Sequence, residues 1–322
     1  MSRRLLLTLT LLLAAPLSLL YALSHGSLAI SPAELWQAIH GTDTGLAQSV
    51  ILELRLPRAA AAFAVGGLLA LSGALLQVLL RNPLADPYVL GISGGASVAV
   101  LLSMLAGLST VWLRGNAFVG ALLSMVLVFG LSRTGSAWTQ SRLLLTGVVI
   151  AAGWGAIISL ILAVAPGAQV QGMLFWLLGD LSYATKPALA LALLGIGLLI
   201  SLWFARPLNL LARGETVAAA LGENPARLRF MVYILSSLLT AVAVTLAGSV
   251  GFIGLIVPHI LRLAAGSDHR FLLPNCVLLG GSFLVVADTL ARTWAAPMTL
   301  PVGVLTALLG VPVFLYLLAR TR

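Results

Sequence analysis

Ionisable residues are so scarce in this chain that the few present define the chemistry open to it. Of 322 residues, 8% are charged and 60% hydrophobic. A hydrolase needs a nucleophile beside a base, and an ion-coupled transporter keeps ionisable residues inside its spans. The long apolar runs here offer little of either. His259, in Val257-Pro258-His259, is the exception: an imidazole can ligate a metal, although its plainer role is a hydrogen bond to a backbone carbonyl. Asp288 stands near the end of another apolar run, and Asp180 in a short interrupted one. The single lysine, Lys186, lies between Thr185 and Pro187, so the Gly-Lys-Ser/Thr phosphate loop is missing and the chain cannot hydrolyse ATP by itself. No lysine follows the Gly91-Ile92-Ser93-Gly94-Gly95 stretch either, and close helix packing explains those small residues better. The single cysteine, Cys276, excludes an intrachain disulfide and a cysteine metal cluster.

Charge concentrates in residues 206–229, RPLNLLARGETVAAALGENPARLR. Arg206, Arg213, Arg227 and Arg229 sit here with Glu215 and Glu223, and such a segment cannot lie in hydrocarbon. Thr216 to Leu221 are helix formers behind Gly214-Glu215, while Gly222 and Pro225 break the second half, so one or two short helices are expected in a loop between membrane spans. That loop is a surface for a partner; a solvated connector is the plainer alternative. The net charge of +9 does not indicate a nucleic-acid binder, because 17 of the 18 basic residues are arginines scattered over short loops without interleaved aromatics.

The elements that must hold these residues are membrane helices, since the chain has too few polar side chains to cover a soluble core. A span needs about 20 apolar residues. Runs of that order cover 5–23, 59–80, 88–105, 116–132, 143–165, 187–205, 271–287 and 302–319, and the charge-free run 230–261 divides at Gly248, Gly251 and Gly254 into two more. The expectation is an all-α membrane protein of about ten transmembrane helices forming one domain over residues 1–322, with 206–229 as its cytoplasmic loop. Residues 170–184, broken by Gly179 and Asp180, read as a partly buried outer helix. The first run, behind Met1 to Arg4, could be a cleaved signal, but its 19 residues exceed the usual h-region and favour a retained span. In the following loop Ser31, Pro32 and Glu34 form a capping box, and Leu35, Trp36 and Ile39 give its short helix an interfacial face. Ten spans put both termini on one side. Thirteen basic residues then fall on that side against five on the other, which makes it the cytoplasm. An internal repeat is only faintly signalled, TLAGSVGFIGLIVP echoing ALSGALLQVLLRNP.

No internal proton relay, no nucleotide site and an inward-facing helical loop together point to a pore subunit driven by a separate cytoplasmic ATPase. Several motifs carry a more specific resemblance: Arg55-Leu-Pro-Arg58, Ser72-Gly73 to Gln77 followed by Asn82-Pro-Leu-Ala-Asp-Pro87, Gly91-Ile-Ser-Gly94, Ser141-Arg-Leu-Leu-Leu-Thr-Gly147, Gly251-Phe-Ile-Gly-Leu-Ile-Val-Pro-His-Ile-Leu-Arg262 and Leu300-Pro-Val-Gly303. In this order, over about residues 50–320, the chain resembles the FecCD family of permeases, membrane subunits of type II ABC importers for iron-siderophores, haem and vitamin B12. The resemblance implies that permease fold and a homodimer in the bacterial cytoplasmic membrane with its path on the two-fold axis. A cytoplasmic ABC ATPase dimer would use ATP and Mg, and a substrate-binding protein would dock from outside. This chain would be no enzyme and would bind no cofactor or resident metal. Carried onto the sequence, Arg213, Gly214, Glu215, Thr216, Ala219, Leu221 and Gly222 correspond to the ATPase-coupling segment. Gln140 and Ser141 correspond to the inner gate, where family members carrying vitamin B12 have small hydroxyl residues and this chain has one glutamine. Arg55, Arg58 and Arg292 correspond to the outer arginines that receive acidic residues of the binding protein. The implied cargo is a bulky metal chelate, an iron-siderophore or haem, with vitamin B12 as the alternative. An ion-coupled secondary transporter and a membrane scaffold are the rivals from other classes.

Overall fold

A computed structural model describes residues 3–26, 28, 30–40, 45–133, 139–182, 184 and 187–320; Lys186 and Arg322, both used in the charge count, lie outside them. In chain order the elements are α1 (Arg3–Ser24), α2 (Pro32–Ile39), and α3 (Leu46–Ser49), which continues through a π-helical turn, Val50–Arg55, into α4 (Leu56–Leu79). A 3-10 turn, Pro87–Leu90, leads to α5 (Ile92–Leu105), α6 (Thr110–Ser132), α7 (Gln140–Val164) and α8 (Gly167–Leu177). Then come α9 (Ala188–Trp203), α10 (Ala205–Arg213), α11 (Glu215–Ala220), α12 (Pro225–Ala247), α13 (Ile253–Ala265), α14 (His269–Thr293) and α15 (Val302–Arg320). Among the described residues, six helices are long and apolar enough to cross a membrane unaided; α9 is a shorter apolar helix that bends by 60° into α10, and α5, α13 and α15 are also shorter apolar helices. These account for the ten expected spans.

The core forms around α4, whose side chains are apolar all round and buried along nearly its whole length, the pattern of a helix enclosed by others. It packs on α14, α12 and α13. In lipid no hydrophobic force draws helices together, so close backbone approach and interhelical hydrogen bonds must do it. Both are present: a methyl group on Gly66 would run into the carbonyl of Gly280, and one on Gly73 into that of Gly254. Ser72 Oγ donates to the Ser236 carbonyl at 2.8 Å and lies 2.7 Å from Thr240 Oγ1.

The glycine break expected within 230–261 occurs at residues 248–252, between α12 and α13. Tyr88 Oη accepts a hydrogen bond from Val250 N–H at 3.0 Å there, so the turn after α4 supports the break. Several boundaries differ from expectation, among them that of α12, which starts at Pro225 and takes in Arg227 and Arg229 of the expected loop. Helix α6 starts at Thr110 and takes in Arg114, and α14 runs on to Thr293 and takes in Arg292. The single helix expected over 170–184 is instead α8, which ends at Leu177. After it, Asp180 N–H donates to Ala247 and Gly179 C=O accepts from Val302 N–H, and tying to those two neighbours replaces helical bonding. The α2 capping box forms as expected, Ser31 N–H donating to Glu34 Oε2 at 2.7 Å and Glu34 N–H to Ser31 Oγ at 3.3 Å.

Candidate functional site

The charged segment folds as α10, Gly214, α11 and a turn into α12. Gly214 has φ 132° and ψ 151°, a conformation closed to ordinary L-residues, so only glycine readily makes this corner. Gly222, at φ +86°, ends α11, and Asn224 caps α12 by accepting from Arg227 N–H at 3.1 Å. Ala218 is fully buried, whereas Thr216, Val217, Ala219 and Leu221 are exposed, Leu221 by 62%. The short helix therefore grips the membrane domain with one small residue and turns an apolar face outward. Glu215 is held inside the chain: Arg229 Nη1 donates to it at 2.8 Å, and Arg81 Nη2 stands 3.6 Å away. Those contacts tie α11 to α12 and to the turn after α4, while Arg213 is exposed. Nearby, Asn209 Nδ2 donates to Asp268 at 2.9 Å. Burial pushes the Asp268 carboxyl up, but hydrogen bonds from Asn209 and the Arg270 backbone, with the charges of Arg270 and Arg4, outweigh it and hold the group below the usual range.

Gln140 and Ser141 open α7, with Thr139 as N-cap. Ser141 is exposed; Gln140 is half-buried and its Nε2 has no partner among the described residues. Of the six long spans α7 is the least buried within the chain, at 11%. At 100° per residue, Ser141, Ala152, Gly155 and Ser159 fall within about 60° of one another. All four are exposed, and Val148, 50% exposed, lies on the same face between Ser141 and Ala152, so this face of α7 carries small and hydroxyl residues interrupted by one valine. Leu145, Val149 and Leu160 form the neighbouring strip, also exposed.

The three outer arginines do not form one free cluster. Arg55 is 4% exposed and donates from Nη1 to the Leu23 carbonyl at 2.7 Å and from Nη2 to that of Leu28. It satisfies the carbonyls of Leu23, in α1, and of Leu28, in the loop after it, so its guanidinium is engaged within the chain. Arg58 and Arg292 share Asp288, Arg58 through Nε and Nη2 at 2.8–3.1 Å and Arg292 through Nε at 3.2 Å. Arg58 also donates to Ser182 Oγ at 3.1 Å. The Asp288–Arg292 half is an i, i+4 contact that exists only because α14 runs past the expected end at 287; the Arg58 half has no local signal in the sequence.

His259 is 8% exposed and meets the Phe314 ring edge-on at 6.1 Å. Among the described residues its Nε2 has no hydrogen-bond partner, so the expected bond to a backbone carbonyl is not made through that nitrogen, and no group of three or more metal-ligating side chains occurs.

Comparison with known proteins agrees with this arrangement. The FecCD transport family profile matches residues 11–320. The hemin transport system permease protein HmuU of Yersinia pestis is 40% identical over 306 residues, covering 92% of this chain and 90% of that one. The vitamin B12 import system permease protein BtuC of Klebsiella pneumoniae is 40% identical over 324 residues, covering 100% and 95%. Among solved structures, an inward-facing conformation of a putative metal-chelate type ABC transporter superposes with a TM-score of 0.85 at 30% identity, covering 98% of this chain and 99% of that one. With its buried central α4, its glycine-broken α12–α13 pair and its charged inner segment, this chain is a member of the FecCD transport family.

Proposed function

We propose that two copies of this chain form the membrane path of an ATP-driven importer for a bulky metal chelate, with ATP hydrolysis in a separate cytoplasmic ATPase dimer. The observation that carries the coupling is the geometry of α11: an exposed apolar face on a charged inner segment, anchored through Glu215 to Arg229 and Arg81. A force applied to that face passes to α12 and to the end of α4, the most buried helix. Burial of Val217 and Leu221 against a partner, not a single ion pair, supplies the contact, because exposed pairs contribute only about 0–1 kcal/mol.

Helix α7 suits the wall of the path. Its face of small and hydroxyl residues, interrupted by Val148, offers room and weak hydrogen bonding without charge, which is costly in a membrane without partners. Gln140 and Ser141 from each copy narrow the inner end. Relatives named for hemin and for vitamin B12 both carry bulky metal chelates, and the proposal stands at that level. An outer binding protein delivers the cargo; Arg58 and Arg292, which share one carboxylate, keep one positive charge in excess for its acidic residues. The reading places the chain in the bacterial cytoplasmic membrane, as its family does, and the distribution of arginines supports an orientation with both termini inside. Reconstitution of the chain in vesicles with its ATPase and binding protein tests the reading. Uptake should require ATP and the ATPase and persist when ion gradients are collapsed; uptake without the ATPase that stops with the gradient would favour the ion-coupled alternative.

A further inference from the structure

At the ends of α1, α4, α10, α13 and α14 lies a cavity of about 660 Å³ whose wall carries Arg4, Arg81, Arg213 and Arg262. Its lining includes one carboxylate, Asp268, already engaged by Asn209 and 3.9 Å from Arg4. Glu215 stands near Arg81, and even with it counted the wall keeps two positive charges in excess. Arg262 is the sharpest case: it is half-buried, donates to the neutral Gln77 Oε1, and has no carboxylate within ion-pair distance among the described residues. Burying a cation without a counter-charge is costly, so such a cluster calls for an anion.

His269 lies on the same wall, 1% exposed. Asn209 Nδ2 donates to Asp268, so its Oδ1 accepts from the His269 backbone and from Nδ1 at 2.6 Å, leaving Nε2 buried and without a partner among the described residues. A second cavity of about 670 Å³ shares Arg4 and Arg262 and extends along Leu263, Ala264 and Phe271. Arg3 also lines it, while Leu263 and Phe271, 48% and 43% exposed, give it an apolar stretch beside the charge cluster.

We propose that the adjoining cavities hold one anionic phospholipid of the inner leaflet, its phosphate among the four guanidiniums and an acyl chain over Leu263 and Phe271. Guanidinium forks match phosphate oxygens in pairs, and basic pockets between the cytoplasmic ends of membrane helices suit anionic head groups. A free phosphate has the same head-group chemistry, but it leaves the apolar stretch unused. Because Asn209 and Arg213 of α10 line the cavity, a bound lipid would brace the coupling segment against α13 and α14. The leaflet assignment rests on the orientation proposed above.

The test is native mass spectrometry of the full chain released from nanodiscs containing equal phosphatidylglycerol and phosphatidylcholine. One phosphatidylglycerol per chain should be retained in preference to phosphatidylcholine. Retention should fall about fivefold for each guanidinium removed, as Arg262→Gln or Arg213→Gln, at roughly the contribution of one basic side chain to anionic-lipid binding. Arg213 is exposed, so its replacement leaves the fold intact, and Arg206→Gln, which lines neither cavity, should change nothing. Equal retention of both lipids, or retention indifferent to both pocket variants, overturns the proposal. Release of the lipid by millimolar inorganic phosphate would assign the pocket to soluble phosphate and overturn the lipid. Retention is independent of which membrane face the pocket occupies; labelling of Leu221→Cys from either side of sealed vesicles tests the orientation separately.

Discussion

Replacing Asp288 with asparagine removes the carboxylate on which two guanidiniums depend. The side chains of Asp288, Arg58 and Arg292 are only 2%, 18% and 14% exposed, so water does little to screen them. A buried ion pair adds little net stability, yet removing one partner strands the other, at about 3–5 kcal/mol. Asparagine keeps the shape and one acceptor oxygen, which places Asp288→Asn at the lower end, about 3 kcal/mol. At about 2 °C per kcal/mol for a long chain, the apparent unfolding midpoint in detergent should fall by roughly 6 °C. Replacing the whole triad with apolar side chains, as Arg58→Met, Asp288→Leu and Arg292→Met together, should recover most of that loss, because no charge then remains to be stranded. Circular dichroism on heating measures both. An Asp288→Asn midpoint within about 1 °C of the parent would refute the account, since a stranded buried cation cannot be nearly free of cost.

The remaining expectations concern other parts of the chain. Ala219→Pro should break α11, at about 3 kcal/mol to that helix, and leave ATP hydrolysis running without uptake; normal transport by the variant would remove α11 from the coupling role. Arg55→Gln should destabilise the chain by about 2 kcal/mol, because two carbonyls lose a charged donor, and the salt dependence of binding-protein docking should stay as it was. Gly73→Ala should cost about 1–3 kcal/mol by forcing α4 away from Gly254, whereas Gly153→Ala, which has open space around it, should be tolerated.

The crossings were legible because hydrocarbon thickness sets the length of apolar runs, and Gly248 and Gly251 mark the break between α12 and α13, whereas Gly254 falls inside α13 at its close contact with Gly73. The inner corner was legible for a similar reason: Gly214-Glu215 ahead of helix formers is a local signal, and the left-handed turn demands its glycine. What sequence could not show were contacts between distant residues. Arg58 and Asp288 are 230 positions apart, and the acceptors of Arg55 are backbone carbonyls, which no side-chain pattern reveals. Arginines read as an outward-facing cluster therefore proved to be largely engaged within the chain. The same holds for Arg262, whose partner, Gln77, belongs to another helix.

The central claim, that two copies close a path between their α7 helices at the gate position, is tested most directly by Ser141→Cys in the complex with its ATPase. Ser141 is exposed, and the native Cys276 is buried and out of reach of mild oxidants. Oxidation should link the two copies through position 141 in the nucleotide state that shuts the inner gate and fail to link them in the state that opens it. Absence of a crosslink in every nucleotide state, with position 141 still reactive towards a soluble thiol reagent, would contradict the account.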